Sequence, residues 1–372
     1  AAILANARAR LLIASGAVAL PARLLAGQVA GLVGVELVET LLAESGEPVA
    51  VPARADDLAL LQYTSGSTGM PKGVMLTHAQ LLANIHAMAR AARVRPDDVF
   101  VSWLPLYHDM GLICAWLSSL AYGMRFVVMS PLAFLARPAR WLQAIHAYRG
   151  TLSGAPNFAY ELCLKRIADA ELAGLDLSSW RIAFNGAEPV SPETVTRFAA
   201  RFAACGLRSA AIAPVYGLAE CAVGLALTPE RGARIDTIRR APFTLRGEAI
   251  PVGAAGEDDA MRFVACGRPL PGYEIRIVDA AGAELPERRE GRLQFRGPSA
   301  TAGYFRNPEA TARLIRGGWW ESGDQAYLAD GEVVLTGRAK DIIIKGGRNI
   351  HPQEIEAAVG ALPGIRKGCV AA

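Results

Sequence analysis

The chain has 372 residues, 52% of them hydrophobic and 20% charged, with a net charge of +4. Apolar content this high excludes a disordered chain, and the length exceeds one small core, so two or three domains are expected. Arginines are scattered, and the densest basic run, RRAPFTLR (Arg239 to Arg246), is short, which speaks against nucleic-acid binding.

The opening, AAILANARARLLIAS, reads as the end of a helix running into a strand. That is a start in mid-domain, so a piece of a longer protein is expected. LLIAS, AVALPARLLAGQVAGL and VGVELVE then read strand, helix, strand, a parallel α/β unit. A connector rich in Pro, Gly and acidic residues, Glu44 to Asp57, leads into LQYTSGSTGMPKGVMLTH, Leu61 to His78. GVMLT is a strand signature, and Thr77 with Gln80 forms a capping box for the helix that follows. VFVSWLPL is a strand that ends in the loop LYHDMGL. LICAWLSSLAYGMRFVVM is broken by Ser118, Ser119, Gly123 and Arg125, so it predicts a helix and then a buried strand, with no transmembrane segment. WRIAFNG is a strand stopping at Gly186. SPET opens a helix on Ser191 with proline at its first position, and AIAPVYGLAE ends another strand. The polar motifs are expected at carboxyl ends of strands in an open parallel sheet, where ligands sit.

Beyond about residue 264 the texture changes. YEIRIVD, GRLQFRG and GEVVLTG are short alternating strands, as in a small antiparallel sheet or barrel. IIIKGGRNIHPQEIEAAVGAL then reads strand, Gly-rich turn and helix, with Pro352 at the helix start. The expected divisions are 1–264, an α/β region; 265–339, a barrel-like β region; and 340–372, the beginning of a small further domain. The six cysteines lack CxxC spacing and read as buried hydrophobes in a reducing compartment, the cytoplasm. Five scattered histidines form no metal-ligand cluster.

The chemistry concentrates in TSGSTGMPKG. Three glycines let backbone N–H groups converge, four hydroxyls add donors and Lys72 adds charge, which makes an anion cradle suited to phosphate. It is not a Walker A loop: Pro71 stands where glycine is needed, and a strand follows instead of a helix.

This loop resembles the phosphate-loop signature of the adenylate-forming superfamily. That superfamily holds acyl-CoA synthetases, peptide-synthetase adenylation domains, luciferases and fatty acyl-AMP ligases. LPLYHDMGL, NGAEPV, YGLAE, GRPLPGYEIRIVD, SGD and GRAKDIIIKGGRNIHPQEIE follow in the family's order, so the resemblance runs from about residue 9 to the end. It implies an α/β large domain with parallel sheets and a small β-barrel, followed by the start of a small α+β domain. It also implies ATP and Mg²⁺ as cofactors. Thr64, Ser65, Gly66, Ser67, Thr68, Gly69 and Lys72 would hold the β/γ-phosphates. Gly186, Ala187 and Glu188 would line the base pocket, with Tyr216 and Gly217 beside the adenine and Tyr216 stacked on it. Asp324 would accept the ribose hydroxyls, and Arg338 would reach ribose or phosphate. Glu220 would ligate Mg²⁺, His108 would gate the acyl and α-phosphate sites, and Lys340 would be the hinge of the small domain.

LPLYHDMGLI and PVYGLAECAVGLA resemble the fatty acyl-AMP ligase branch. The stretch between Glu220 and Gly267 is long for an acyl-CoA synthetase and resembles that branch's insertion, which disfavours CoA as acceptor. The expected activity is therefore activation of a fatty acid to acyl-AMP, then transfer to the phosphopantetheine of an acyl carrier protein. IKGGRNIHPQEIE is closer to acyl-CoA synthetases, so CoA as acceptor is the alternative, and a non-catalytic nucleotide-binding domain is the second. The PxTxxGK-like segment that carries the family's adenylation lysine does not occur in the sequence.

Overall fold

The computed structural model describes residues 1–47, 49–64, 71–227, 230–253, 259–341, 343–345, 348–350 and 352–360, with 362, 365 and 370. The chain forms two compact units, residues 1–81 with 301–314, and residues 82–300 with 315–372.

In the first unit, β1 (Leu11–Ala14) and β2 (Gly34–Leu37) pair in parallel and are joined through the helix Ala19–Ala26, as the opening pattern predicts. β3 (Leu58–Thr64) and β4 (Lys72–Thr77) form an antiparallel pair. This corrects the expectation that the polar motifs all follow strands of the parallel sheet: β4 pairs antiparallel with β3. The capping box is present, with Thr77 N–H donating to Gln80 Oε1 at 3.0 Å and Gln80 N–H to Thr77 Oγ1 at 3.2 Å.

The second unit begins with β5 (Val99–Ser102), β6 (Arg125–Val128), β7 (Leu152–Ala155), β8 (Ile182–Asn185), β9 (Ile212–Gly217) and β10 (Gly224–Leu227). β11 (Ile235–Arg239), β12 (Ala260–Val264) and β13 (Arg268–Pro269) follow. Seven of these form one sheet in the order β13-β10-β9-β8-β7-β5-β6. The β6, β5, β7, β8 and β9 pairings are parallel, whereas β10 turns back against β9. β7 escapes a sequence reading. LSGA has no β-branched residue and no alternation, yet all four residues are buried. It is Gly154 that admits the next strand, since a Cβ there would lie 2.8 Å from Phe184 Cβ. RFVVMS is also corrected: β6 is an edge strand with exposed ends to its pattern, not a buried one.

Aromatic rings fill this core. Trp141 and Trp180 are fully buried, 5.2 Å apart edge to face, and Trp141 Nε1 donates to Ser153 Oγ at 2.8 Å. The helix Pro192–Phe202 starts as predicted, with Ser191 Oγ accepting from Thr194 N–H at 3.3 Å and proline in the first turn. Ser191→Ala removes this cap and is expected to cost about 1 kcal/mol, read as a lower urea midpoint with unchanged m-value.

β14 (Glu274–Val278), β15 (Gly291–Arg296), β16 (Ile315–Arg316), β17 (Trp319–Ala329) and β18 (Glu332–Arg338) build the antiparallel sheet expected of the alternating region. β19 (Ile343–Lys345), β20 (Arg348–Ile350) and the helix Pro352–Gly360 follow.

The stretch after Glu220 has its own core. β11 and β12 pair antiparallel around the helix Arg240–Arg246. Ile238, Phe243, Ala249 and Met261 pack with Tyr327, Ala329 and Val334 of the small sheet. Buried Asp236 accepts from the Tyr327 hydroxyl at 2.7 Å and from Arg288 at 2.9 Å. The backbone of helix Arg240–Arg246 lies beside β20.

Candidate active site

In the first unit the β3–β4 register sets Thr64 opposite Lys72. Lys72 Nζ stands 5.0 Å from the centroid of the Tyr304 ring, a cation–π contact absent from the sequence reading. Tyr63 covers Gly73 so closely that a Cβ there would lie 2.9 Å from its ring. Ser65, Gly66, Ser67, Thr68 and Gly69 lie outside the described residues.

In the second unit, NGAE follows β8. Gly186 is required by the neighbouring strand, because a Cβ would meet Val215 at 2.7 Å. Ala187 takes φ 66°. The Glu188 carboxylate accepts from Phe158 N–H at 2.5 Å, at the start of helix Asn157–Arg166, and burial raises its pKa. This carboxylate is thus engaged at the helix terminus.

Tyr216 and Asp324, 108 residues apart, meet directly: the tyrosine hydroxyl donates to Asp324 Oδ2 at 2.5 Å. Tyr216 is buried, and its pKa is driven well above the usual phenol value by burial and by the Asp324 charge. Asp324 sits on β17 after Gly323, which takes φ 81° within the strand, with its N–H held by Ser322 Oγ at 3.1 Å. Its register partner on β18 is Arg338, whose Nε lies 3.6 Å from Asp324 Oδ1. Burial raises the Asp324 pKa, opposed by Tyr216 and Arg338 and reinforced by the charges of Glu220 and Asp341. Glu220 thus belongs to the same electrostatic cluster. Lys340 follows β18, with Nζ 4.0 Å from Asp341. Among the described residues, no group of three or more His, Cys, Asp or Glu is placed to hold a metal.

His108 lies after β5, in a loop that runs into a π-helix, Met110–Leu117. π-Helical turns gather at functional sites. Its Nδ1 is 2.7 Å from Asp109 Oδ1, and the same oxygen accepts from Met110 N–H at 2.7 Å. The hydrogen bond to Asp109 raises the imidazole pKa, against burial and with the aspartate charge. A raised histidine pKa adds stability below the ordinary value, and the gain is lost as pH climbs through the raised one. Asp109→Asn is expected to lower the His108 pKa, measured by NMR titration of its ring. The signal for Asp109 was present in YHDMG as a carboxylate adjoining the histidine.

Burial pushes the Cys114, Cys221 and Cys266 thiols up to about 12, consistent with apolar packing. No described helix is long and apolar enough to cross a membrane.

Comparison with known proteins decides the family. The model for AMP-binding enzymes matches residues 1–305. The chain belongs to the AMP-binding enzyme family. A medium-chain fatty acid–acyl-carrier-protein ligase of Teredinibacter turnerae is 39% identical over 355 residues, covering 89% of this chain and 54% of that protein. A solved fatty acyl-adenylate ligase, one of a set from E. coli and L. pneumophila, superposes with TM-score 0.93 at 37% identity. It covers 99% of this chain and 67% of its own. The L. pneumophila fatty acyl-adenylate ligase in complex with acyl adenylate and pyrophosphate aligns with TM-score 0.82 at 32% identity, covering 97% and 64%. The fold is therefore the α/β fold of adenylate-forming enzymes. The chain spans about half the length of the curated relatives it matches.

Proposed function

We propose that the complete protein activates a fatty acid with ATP and passes the acyl group to an acyl carrier protein in the cytoplasm. The observation that carries the nucleotide half is the Tyr216–Asp324–Arg338 cluster with Glu220 in electrostatic reach. The similarity to acyl-carrier-protein ligases and acyl-adenylate ligases supports the rest.

In the first step a carboxylate oxygen bonds to the α-phosphorus of ATP, the bond from that phosphorus to the bridging oxygen breaks, and pyrophosphate leaves. Two anions must meet, so the residues that neutralise charge govern the rate. Thr64, the hydroxyls and backbone of Ser65 to Gly69, and Lys72 are assigned to the β/γ-phosphates. Gly186, Ala187 and the backbone of Glu188 are assigned to the base, with Tyr216 and Gly217 beside it. Asp324 takes ribose through the oxygen that Tyr216 leaves free, and Arg338 takes ribose or phosphate. His108 faces the acyl and α-phosphate groups as the gate between them. In the second step the carrier's thiolate sulfur attacks the acyl carbon and AMP leaves, after the small domain turns about Lys340.

Glu220 suits Mg²⁺: it offers hard oxygen donors on a partly exposed turn, and Mg²⁺ bound to nucleotide needs few protein carboxylates beside phosphate and water. When bound, the ion would neutralise phosphate charge.

The test of the reading is fatty-acid-dependent exchange of labelled pyrophosphate into ATP by the complete gene product; none at all would leave nucleotide binding alone. Asp324→Ala removes a charged hydrogen-bond acceptor and is expected to weaken ATP binding by about 1.5–3 kcal/mol. Unchanged affinity by calorimetry would take Asp324 out of the site.

A further inference from the structure

Directly after Glu220 the chain makes a turn that costs energy. Ala222 sits at φ 67°, ψ −65°, and Val223 N–H donates to Cys221 O at 3.0 Å. This is a γ-turn of the strained hand, rare for a residue with a side chain. Antiparallel strands can be joined by unstrained turns, so returning β10 onto β9 does not demand it. Nor is there slack around it: a Cβ on Gly217 would lie 1.7 Å from Val223 O, and one on Gly224 2.7 Å from the Met88 sulfur.

A buried polar group grips the turn from outside. Asn84, fully buried, accepts from Gly224 N–H at 2.9 Å and donates to Gly224 O at 2.8 Å. It is also within 3.0 Å of the Tyr273 hydroxyl and 3.2 Å of Ser299 Oγ. Tyr273 donates to Ser299 Oγ at 2.7 Å, and Ser299 donates to Cys221 O at 2.8 Å. One end of the γ-turn, Cys221 O, and the amide of Gly224 just beyond its other end are thereby tied to three buried side chains from three separate parts of the second unit.

Backbone strain persists where its surroundings over-determine it, and it collects at functional sites. The residue this turn immediately follows is Glu220. We infer that Asn84, Tyr273 and Ser299 are positioning residues that lock the strained Cys221–Gly224 turn and so fix the direction of the Glu220 carboxylate. The inference rests on the reading of Glu220 as the Mg²⁺ residue. Mg²⁺ tolerates little departure from octahedral geometry at short distances, so a carboxylate that serves it with no ligand cluster among the described residues needs an immobile base.

The test uses the complete gene product with a non-hydrolysable ATP analogue bound and Mn²⁺ as the probe. Its dissociation constant is read by electron paramagnetic resonance, alongside Tm and hydrogen exchange of the Val223 and Gly224 amides. Ala222→Gly relieves the strain, because glycine takes φ 67° freely. It is expected to hold or raise Tm while the amides exchange faster and Mn²⁺ binding weakens by about fivefold or more. Ser299→Ala is expected to weaken Mn²⁺ to a similar degree with some loss of Tm. A clamp that serves the fold alone would move Tm and exchange and leave Mn²⁺ affinity alone; either variant within about twofold of the parent overturns the inference. Glu220→Gln separates the two readings. If it does not weaken Mn²⁺, the assignment of Glu220 falls and the clamp's role with it. If it does while Ala222→Gly or Ser299→Ala does not, only the clamp falls.

Discussion

Glu220→Gln is expected to slow fatty-acid-dependent pyrophosphate exchange by about 10²–10³-fold, the usual cost of removing one element of charge stabilisation from a transition state. The substitution is nearly isosteric, and the neighbouring backbone has contacts of its own. Cys221 is buried, Gly217 packs against Val223 O, and Asn84 grips Gly224. The fold should therefore survive, with an unchanged Tm. Removing the Glu220 charge also removes one of the influences that raise the Asp324 pKa, so ribose binding should not suffer. The loss should appear in rate at saturating Mg²⁺ and ATP. Exchange within about twofold of the parent under those conditions would assign the metal to another residue.

The second large effect concerns the acceptor. Given a fatty acid, ATP, CoA and a phosphopantetheinylated carrier protein, the complete protein is expected to accumulate acyl-AMP and to favour the carrier over CoA. A penalty of about 2–3 kcal/mol on the thioester-forming geometry suppresses CoA use by roughly 30- to 150-fold, and a carrier offsets it with interface contacts that CoA lacks. The structural support is the helix Arg240–Arg246 lying beside β20, beyond Lys340. Deleting Ile235 to Asp259 would be a poor test. It removes Ile238 and Phe243 from a core shared with Tyr327 and Val334, and it takes away the Asp236 partner of Tyr327. Leu245→Asp changes an exposed position of that helix and leaves Phe243 in place. It should raise acyl-CoA formation without changing pyrophosphate exchange. Efficient acyl-CoA production by the unaltered protein would make CoA the acceptor.

Elements were legible where local chemistry is decisive. Alternation marked β14, β15 and β18, and the caps at Thr77 and Ser191 marked helix starts. Their failures share a cause, which is tertiary context overriding local preference. LSGA became a central strand because its small residues fit between larger neighbours. SGD sits within the long β17, where Gly323 at φ 81° and a register shift at Gln325/Ala326 let the strand continue through a motif that reads as a loop. At the site, motif order named Tyr216 and Asp324 as neighbours of one ligand but not of each other. The Glu188 commitment to a helix terminus, the Asp109 contact and the Asn84 clamp depend on distances that no linear pattern carries.

The register of β17 on β18 has a thermodynamic consequence. Asp324 and Arg338 are rung partners, Ala339 N–H donates to Gly323 O at 3.0 Å, and Lys340 is the next residue. The proposed ribose grip and the proposed pivot therefore share one stretch of hydrogen-bonded backbone, with no flexible linker between them. Binding linkage is reciprocal: if turning about Lys340 tugs this ladder, each pose of the small domain has its own nucleotide affinity, and nucleotide shifts the balance of poses by the same factor. The AMP dissociation constant measured with and without a bound carrier protein, and the carrier's measured with and without AMP, would give that factor from both sides, and the two values must agree.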